Sequence, residues 1–330
     1  MNLRRLSLWL SLVPLVVGAG LYWLAWRGWA DDFGAVMRTW FPGNTVAVAG
    51  FPYRMETEIT APALANVGPV TLSAKAARAR INRGPWRPEL TLVQAQSPQI
   101  IVGLDTAVRA VLTAPSALAS VHVLDGRLER LSVSASDAAI ALGFTAMTIR
   151  TGTFEVHVRE QKPGAANTES PRLPIRGQMV LSGTGVRLGK GAPLVLAMEA
   201  SAHGPARLID YARWQAGGSI EVGSAVLSDP VGEVARAVAT LVPGGAAANS
   251  ANGAAAPLRL AGTIDTVCPA SIAAAIAGTP PLSELRLRVP VRLSFEGSIG
   301  PGVALRLAGM PANLAARPRR GQLPACPRIR

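Results

Sequence analysis

Hydrophobic and polar positions fall into three successive patterns along this chain. From Leu6 to Trp26 run 21 residues without a charge, LSLWLSLVPLVVGAGLYWLAW. As a helix rising 1.5 Å per residue, that run is about 31 Å long, the thickness of a bilayer's hydrocarbon core. Next, Trp29, Phe33, Val36, Met37 and Trp40 recur at helical spacing while Asp31, Asp32 and Arg38 fall elsewhere. This predicts a short amphipathic helix ended by Pro42-Gly43, lying on a lipid surface or docked on the domain that follows. From Thr45 onward, alternation with period two dominates.

The longest alternation sets Leu285, Leu287, Val289, Val291, Leu293 and Phe295 against Arg286, Arg288, Pro290, Arg292, Ser294 and Glu296. It predicts a strand with one buried and one basic face, with Pro290 at a sheet edge or bulge. Val70–Ala77 alternates in the same way. Shorter stretches recur at Glu89–Ala95, Ile100–Leu104, Val121–Leu124, Leu131–Ala135, Ala146–Arg150, Thr153–Arg159, Arg176–Gly183, Leu194–Ala202, Ser219–Leu227, Leu258–Ile264 and Val303–Leu307. Helical spacing appears only at Asp105–Leu112, Pro205–Gln215, Pro230–Leu241 and Pro269–Ala277. The expected fold is therefore mainly β with a few short helices, an antiparallel sheet system that can be curved, after one N-terminal transmembrane helix. The expected divisions are an anchor over 1–27, the amphipathic helix over 28–43, a β-rich exported domain over 44–310, and a Pro/Arg-rich tail over 311–330. Gln161–Arg172 and Pro243–Pro257 read as flexible loops, and the tail as poorly ordered.

The anchor reading draws support from its flanks. Arg4 and Arg5 precede the run, and Tyr22, Trp23, Trp26 and Trp29 crowd its far end, where amphipathic rings prefer the lipid–water interface. Pro14 is tolerated in a lipid-spanning helix. The rival is a cleaved signal peptide cut near Gly18-Ala19-Gly20 or Gly28-Trp29-Ala30, but such peptides have a shorter apolar region. Arg4 and Arg5 nearly balance Arg27 and Arg38, and the free amino terminus tips the count toward a cytoplasmic N-terminus with the remainder exported.

Composition adjusts this picture. Hydrophobic residues make up 49% and aromatics 5% of the 330 residues, so the apolar content is largely Ala, Val and Leu and burial must be spread over many positions. The net charge is +13, with thirty Arg and three Lys (Lys75, Lys162 and Lys190). That skew fits either an anionic partner or the codon usage of a GC-rich genome. The Arg residues are scattered, without a basic stripe bearing stacking aromatics, which argues against nucleic acid as a partner. Arg317, Arg319 and Arg320 alone make a dense group. Cys268 and Cys326 match no metal spacing. They either stay free and buried or form one disulfide closing a loop of about 59 residues, worth about 4 kcal/mol in the chain-entropy model.

Catalytic patterns are missing. Gly297-Ser298-Ile299-Gly300 lacks the spacing of a nucleophile elbow, and Gly189-Lys190 is followed by Gly191 rather than the hydroxyl of a phosphate loop. Gly183-Thr184-Gly185 followed by Gly189 is one residue too long for a dinucleotide fingerprint. His122, His157 and His203 have no His or Cys at ligand spacing. Asp125, Glu129 and Asp137 sit beside Arg127 and Arg130 as ordinary surface pairs. The sequence predicts no catalytic, cofactor or metal site, and a protein that is not an enzyme.

One short motif follows the amphipathic segment: Gly50-Phe51-Pro52-Tyr53-Arg54. Taken alone it is a turn. Together with Pro85-Trp86-Arg87-Pro88 and Trp214-Gln215-Ala216-Gly217-Gly218 followed by Ile220, Val222 and Leu227, it resembles the bacterial envelope family called domain of unknown function 2125. The likeness spans most of residues 1–265. It implies an inner-membrane, single-pass setting with the large domain in the periplasm, and no established activity. The architecture also looks similar to AsmA-like envelope proteins, whose curved sheets offer an apolar groove to lipid, an analogy at the level of fold. The expected role is accordingly non-enzymatic lipid binding or envelope maintenance, with membrane and lipid as partners. The alternative is an envelope scaffold that meets another envelope protein through edge strands or through Arg286, Arg288 and Arg292.

Overall fold

A computed structural model describes residues 3–66, 70–104, 108–143, 148–161, 173–207, 210–244, 258–280, 283–299, 303–310 and 323–330, with the side chains of its first helix from Leu12 onward. Of the loops expected over Gln161–Arg172 and Pro243–Pro257, all but Gln161, Pro243 and Gly244 lie outside the described residues. The elements are α1 (Leu3–Trp40), β1 (Met55–Thr60), β2 (Ala63–Asn66), β3 (Val70–Lys75), β4 (Arg78–Gly84), β5 (Arg87–Gln96) and β6 (Gln99–Leu104). They continue as β7 (Val108–Thr113), β8 (Ser116–Leu124), β9 (Arg127–Leu142), β10 (Thr148–Glu160), β11 (Ile175–Leu188) and β12 (Leu194–His203). Last come α2 (Tyr211–Gln215), β13 (Ser219–Asp229), β14 (Gly232–Val242), β15 (Leu258–Thr266), α3 (Pro269–Ala277), β16 (Val291–Ile299) and β17 (Val303–Ala308).

The two helices expected at the N-terminus are one. No proline or turn interrupts residues 15–40, so α1 runs on, about 57 Å long for 38 residues. Its second half and the residue after it bury Trp26, Ala30, Phe33, Met37 and Phe41, spaced four, three, four and four apart, against Met55, Ile59, Ala79 and Ile81. The amphipathic segment therefore packs on the sheet. Its stripe is rotated from the expected one, leaving Trp40 58% exposed.

All strands join one antiparallel sheet. Although the connections from β12 to β13 and from β15 to β16 carry α2 and α3, successive strands pair in order from β9 to β17. Before β9, the short strands pair two ways. β1, β4, β5 and β8 follow one another up to the first half of β9, while β2, β3, β6 and β7 follow one another up to its second half. Each short pair is thus one long strand broken by two residues. The breaks, Ala61-Pro62, Ala76-Ala77, Ser97-Pro98 and Ala114-Pro115, lie opposite one another and end at Asp137-Ala138 within β9. Across this line Ala61 N–H donates to Ala77 O at 2.9 Å, and Ser97 N–H to Pro115 O at 2.7 Å. Ala61, Ser97 and Asp137 take positive φ of 48–51° there. A proline supplies no N–H to a ladder, so the row of prolines folds the sheet along one transverse crease.

The folding turns one face of the sheet inward. Leu112 and Ile140 from beyond the crease and Ala114 at it pack with Ala135, Phe154, Val156 and Leu181 from before it. Further along, Tyr211 and Trp214 of α2 bring Val70, Leu104 and Val108 together with Ile220, Leu241 and Leu258. The third packed region joins β14–β17 to α3 and the chain end. Among the described residues β17 pairs with β16 alone and β2 with β3 alone, so the sheet does not close.

Four sequence expectations are corrected. Pro230–Leu241 is strand β14 rather than helix: its Val234, Val238, Thr240 and Val242 suit a pleated ribbon, and Ala235, Ala237, Ala239 and Leu241 share a face. In Asp105–Leu112 the described residues begin strand β7 at Val108, and Pro205–Gln215 yields only the five-residue α2. The tail is not loose at its end: Ile329 is 2% exposed within the β14–β16 core, and Ala192 N–H donates to Arg328 O at 2.7 Å.

Candidate functional site

The inward face can be followed residue by residue through the registers. Thr57, Ile81, Val93, Ala119, Val133, Val156, Leu181, Met198, Ala225, Ala237, Ile264 and Leu293 are successive cross-strand partners from β1 to β16. Cross-strand partners share a face, so these twelve side chains form one row across twelve strands. The flanking row, from Met55 through Arg83, Thr91, Val121, Leu131, Val158, Met179, Ala200, Val222, Ala239 and Gly262 to Phe295, is parallel to it. Between them the two rows carry a single ionisable group, Arg83.

Burial along the first row changes in a regular way. Thr57 and Ile81 are buried beneath α1, and Ile264 and Leu293 are buried beside α3. Every residue between, from Val93 to Ala237, is partly open. Two helices cover the ends, and an uncharged aliphatic trough about eight strands wide, roughly 38 Å at 4.7–4.8 Å per strand, is left between them. Leu72 and Val102, from beyond the crease, pair with one another and are 52% and 50% exposed. Arg83 stands at the covered end. Its Nε and Nη2 donate to Thr91 Oγ1 at 3.2 and 3.0 Å, and its guanidinium lies 5.5 Å from the centre of the Phe33 ring. Burial lowers its pKa from the ordinary guanidinium value, which still leaves a cation.

The opposite face is mainly polar, with Leu92, Leu118, Val180 and Val238 exposed among groups that largely satisfy one another. A depression over β9–β13 is lined by Ser132, His157, Arg159, Gln178, Glu199 and Ser201. His157 Nδ1 meets Ser132 Oγ at 2.8 Å, and Arg159 Nε donates to Gln178 Oε1 at 2.7 Å. His122 contacts the Glu129 carboxylate, and His203 Nε2 lies 3.6 Å from Glu221. The three histidines therefore engage separate partners rather than assembling.

Cys268 and Cys326 are bonded, with Cα atoms 5.9 Å apart. Glu284 lies near both sulfurs. Its carboxylate accepts from the N–H groups of Ala270 and Ser271 at 3.0 and 2.9 Å, at the start of α3. Those bonds and the closed cystine leave this group a structural role. The residues expected to form a basic strand face do not share one. The strand starts only at Val291, after Pro290, and Leu285 instead bridges to Ala325. Arg286 is 7% exposed and faces Asp229 at 2.5 Å, whereas Arg292 Nε donates to Asp265 Oδ1 at 2.8 Å. The Arg292 hydrogen bond holds the Asp265 carboxyl below its ordinary range.

Two of the three short motifs meet at α1. Tyr22 Oη donates to Pro52 O at 2.5 Å, and Trp26 Nε1 to Arg54 O at 3.3 Å. The Tyr22 ring stacks on Trp86 at 5.7 Å and lies 5.9 Å from Phe51. Gly50 has φ +103°, and a Cβ there would sit 2.7 Å from Arg54 O, so the turn requires glycine. The third motif serves the core. Trp214 is fully buried, its Nε1 donates to His203 O at 2.8 Å, and a Cβ at Gly218 or Gly204 would approach its indole to 2.3 or 2.5 Å.

Along α1, Leu12 to Leu24 expose aliphatic side chains all round, with Leu15 68% and Val16 65% open. Among the described residues, no helix is long and apolar enough to cross a membrane. No curated protein and no solved structure is significantly similar to the chain. A family model does match, over residues 44–311, which takes in both rows of the trough and all three motifs. The chain belongs to that family, domain of unknown function 2125, uncharacterised proteins conserved in bacteria.

Proposed function

We propose that this protein is a single-pass inner-membrane protein whose periplasmic sheet receives the acyl chains of an envelope lipid in its aliphatic trough, without catalysing a reaction. The observation that carries the reading is the burial profile of the Thr57–Leu293 row: buried at both ends, partly open through the middle, and free of charge throughout. A continuous apolar surface of that size is costly in water, and an acyl chain fits it because such a chain offers no hydrogen-bonding group. The uncharged Leu6–Trp26 run supports the same setting, since a helix of that length embedded in a bilayer would bring lipid beside the domain.

The test keeps the chain whole, because a fragment starting at Asn44 would strip Trp26, Phe33 and Met37 from the core. Full-length protein is purified in mild detergent, and bound lipid is identified by mass spectrometry. Leu181→Asp with Met198→Glu places two carboxylates mid-row. The wild type should retain acyl lipid that the variant loses, while both keep the same far-ultraviolet circular dichroism. Equal lipid on both proteins, or none on either, sinks the reading.

A further inference from the structure

The aromatic residues of the two motifs that meet at α1 have surfaces the fold does not use. Tyr53 is 83% exposed, Trp86 70% and Phe51 47%, and the rings of Trp86 and Phe51 are held in place. Trp86 stacks on Tyr22 with an interplanar angle of 12° and meets Trp29 edge-on at 5.6 Å, and Phe51 meets Trp26 edge-on at 5.4 Å. These contacts fix the height of both loops against α1. That height is where the helix changes character: aliphatic and open on all sides before Tyr22, striped and docked on the sheet from Trp26. Exposed cations lie at the same level: Arg27 stacks over Trp23 at 5.5 Å, and Arg87 and Arg54 flank the exposed rings, Arg54 also pairing with Glu56 at 3.2 Å.

We infer that Phe51, Tyr53 and Trp86 are a second footing in the lipid–water interface, beside the helix, and that the three arginines meet anionic headgroups there. This rests on the reading of α1 as a membrane anchor. Rings with an apolar body and a polar tip are favoured in the headgroup layer, and arginine close to an anionic leaflet gains from its surface potential. One helix alone leaves the domain free to turn about the helix axis. A footing to one side of it holds one edge of the sheet down, and with it the end of the trough beneath α1.

The experiment uses the full chain in phosphatidylethanolamine–phosphatidylglycerol vesicles. A single cysteine at Tyr53, Val16 or Val238 carries an environment-sensitive fluorophore, the native cystine being unreactive to maleimide. Lipids brominated near the headgroup or deep in the chains then report depth by quenching. The Tyr53 label should be quenched by shallow bromines, with blue-shifted emission, the Val16 label by deep bromines, and the Val238 label by neither. Trp86→Cys repeats the first site in case the Tyr53 label disturbs its loop. Quenching at Val16 without quenching at Tyr53 or Trp86 overturns the footing and leaves the anchor standing. No quenching at Val16 overturns the anchor, and the footing with it.

Discussion

Replacing Arg286 by Met would show how the sheet holds its C-terminal segment. Asp229 ends β13, and its Oδ1 accepts from Val231 and Gly232 N–H at 2.9 and 3.2 Å, while Oδ2 faces Arg286 Nη2 at 2.5 Å. The two side chains are only 10% and 8% exposed. Removing the guanidinium strands a carboxylate in a site almost without water. Breaking a buried pair costs about 3–5 kcal/mol. The two turn N–H groups keep solvating the charge, so the loss should sit near the low end, about 3 kcal/mol. Asp229→Asn should cost a similar amount, because among the described residues the guanidinium then keeps only Glu233 O, at 3.4 Å from Nη1. Among the described residues Arg286 Nε and Nη2 have no aligned hydrogen-bond acceptor, so folding already bears their desolvation. The double variant removes both charges and that burden together, and should lose about 1 kcal/mol, far less than the sum of the singles. Urea unfolding of the detergent-solubilised chain, followed by circular dichroism, gives the three values from midpoints at a common slope. Single losses below about 1 kcal/mol, or an additive double variant, would mean that water reaches the pair and the burial argument fails.

Two further outcomes follow from particular contacts. Gly218→Ala should destabilise by about 1–3 kcal/mol, because its methyl would meet the Trp214 indole, and Trp214 fluorescence should shift in near-native conditions as the ring yields. Reducing Cys268–Cys326, which are 58 residues apart, should lower unfolding stability by about 4 kcal/mol in the chain-entropy model, and the Cys268→Ala/Cys326→Ala variant should match the reduced wild type.

Much of the strand content was legible because each half-covered strand alternates, as in Thr153–Arg159 and Leu194–Ala202. The trough was not legible, because it depends on phase between strands. Val133 and Val156 alternate with polar neighbours and Leu181 follows directly on Val180, and only the register places the three side by side. The crease shows only as scattered Ala-Pro and Ser-Pro steps until pairing aligns Ala61-Pro62 with Ser97-Pro98 and Ala114-Pro115. Pro230–Leu241 misled because its small alanines satisfy helical and strand spacing alike. Leu285–Arg288 misled because its alternation is real, but a proline and the cystine-tethered tail divert the backbone before it can join the ladder. Phe51 and Trp86 carried the family likeness without indicating that they meet on α1.

The unbroken α1 bears on how position is transmitted. A domain on a Gly/Ser tether wanders over a volume set by the tether, and whatever holds its far end does not feel its orientation. Here the same rigid rod that begins at Leu3 is wedged by Phe33 and Met37 into the sheet. A tilt or rotation imposed on the first turns of the helix is therefore delivered to β1 and β4 with no slack between. Any pull on the covered end of the sheet travels back along the same rod.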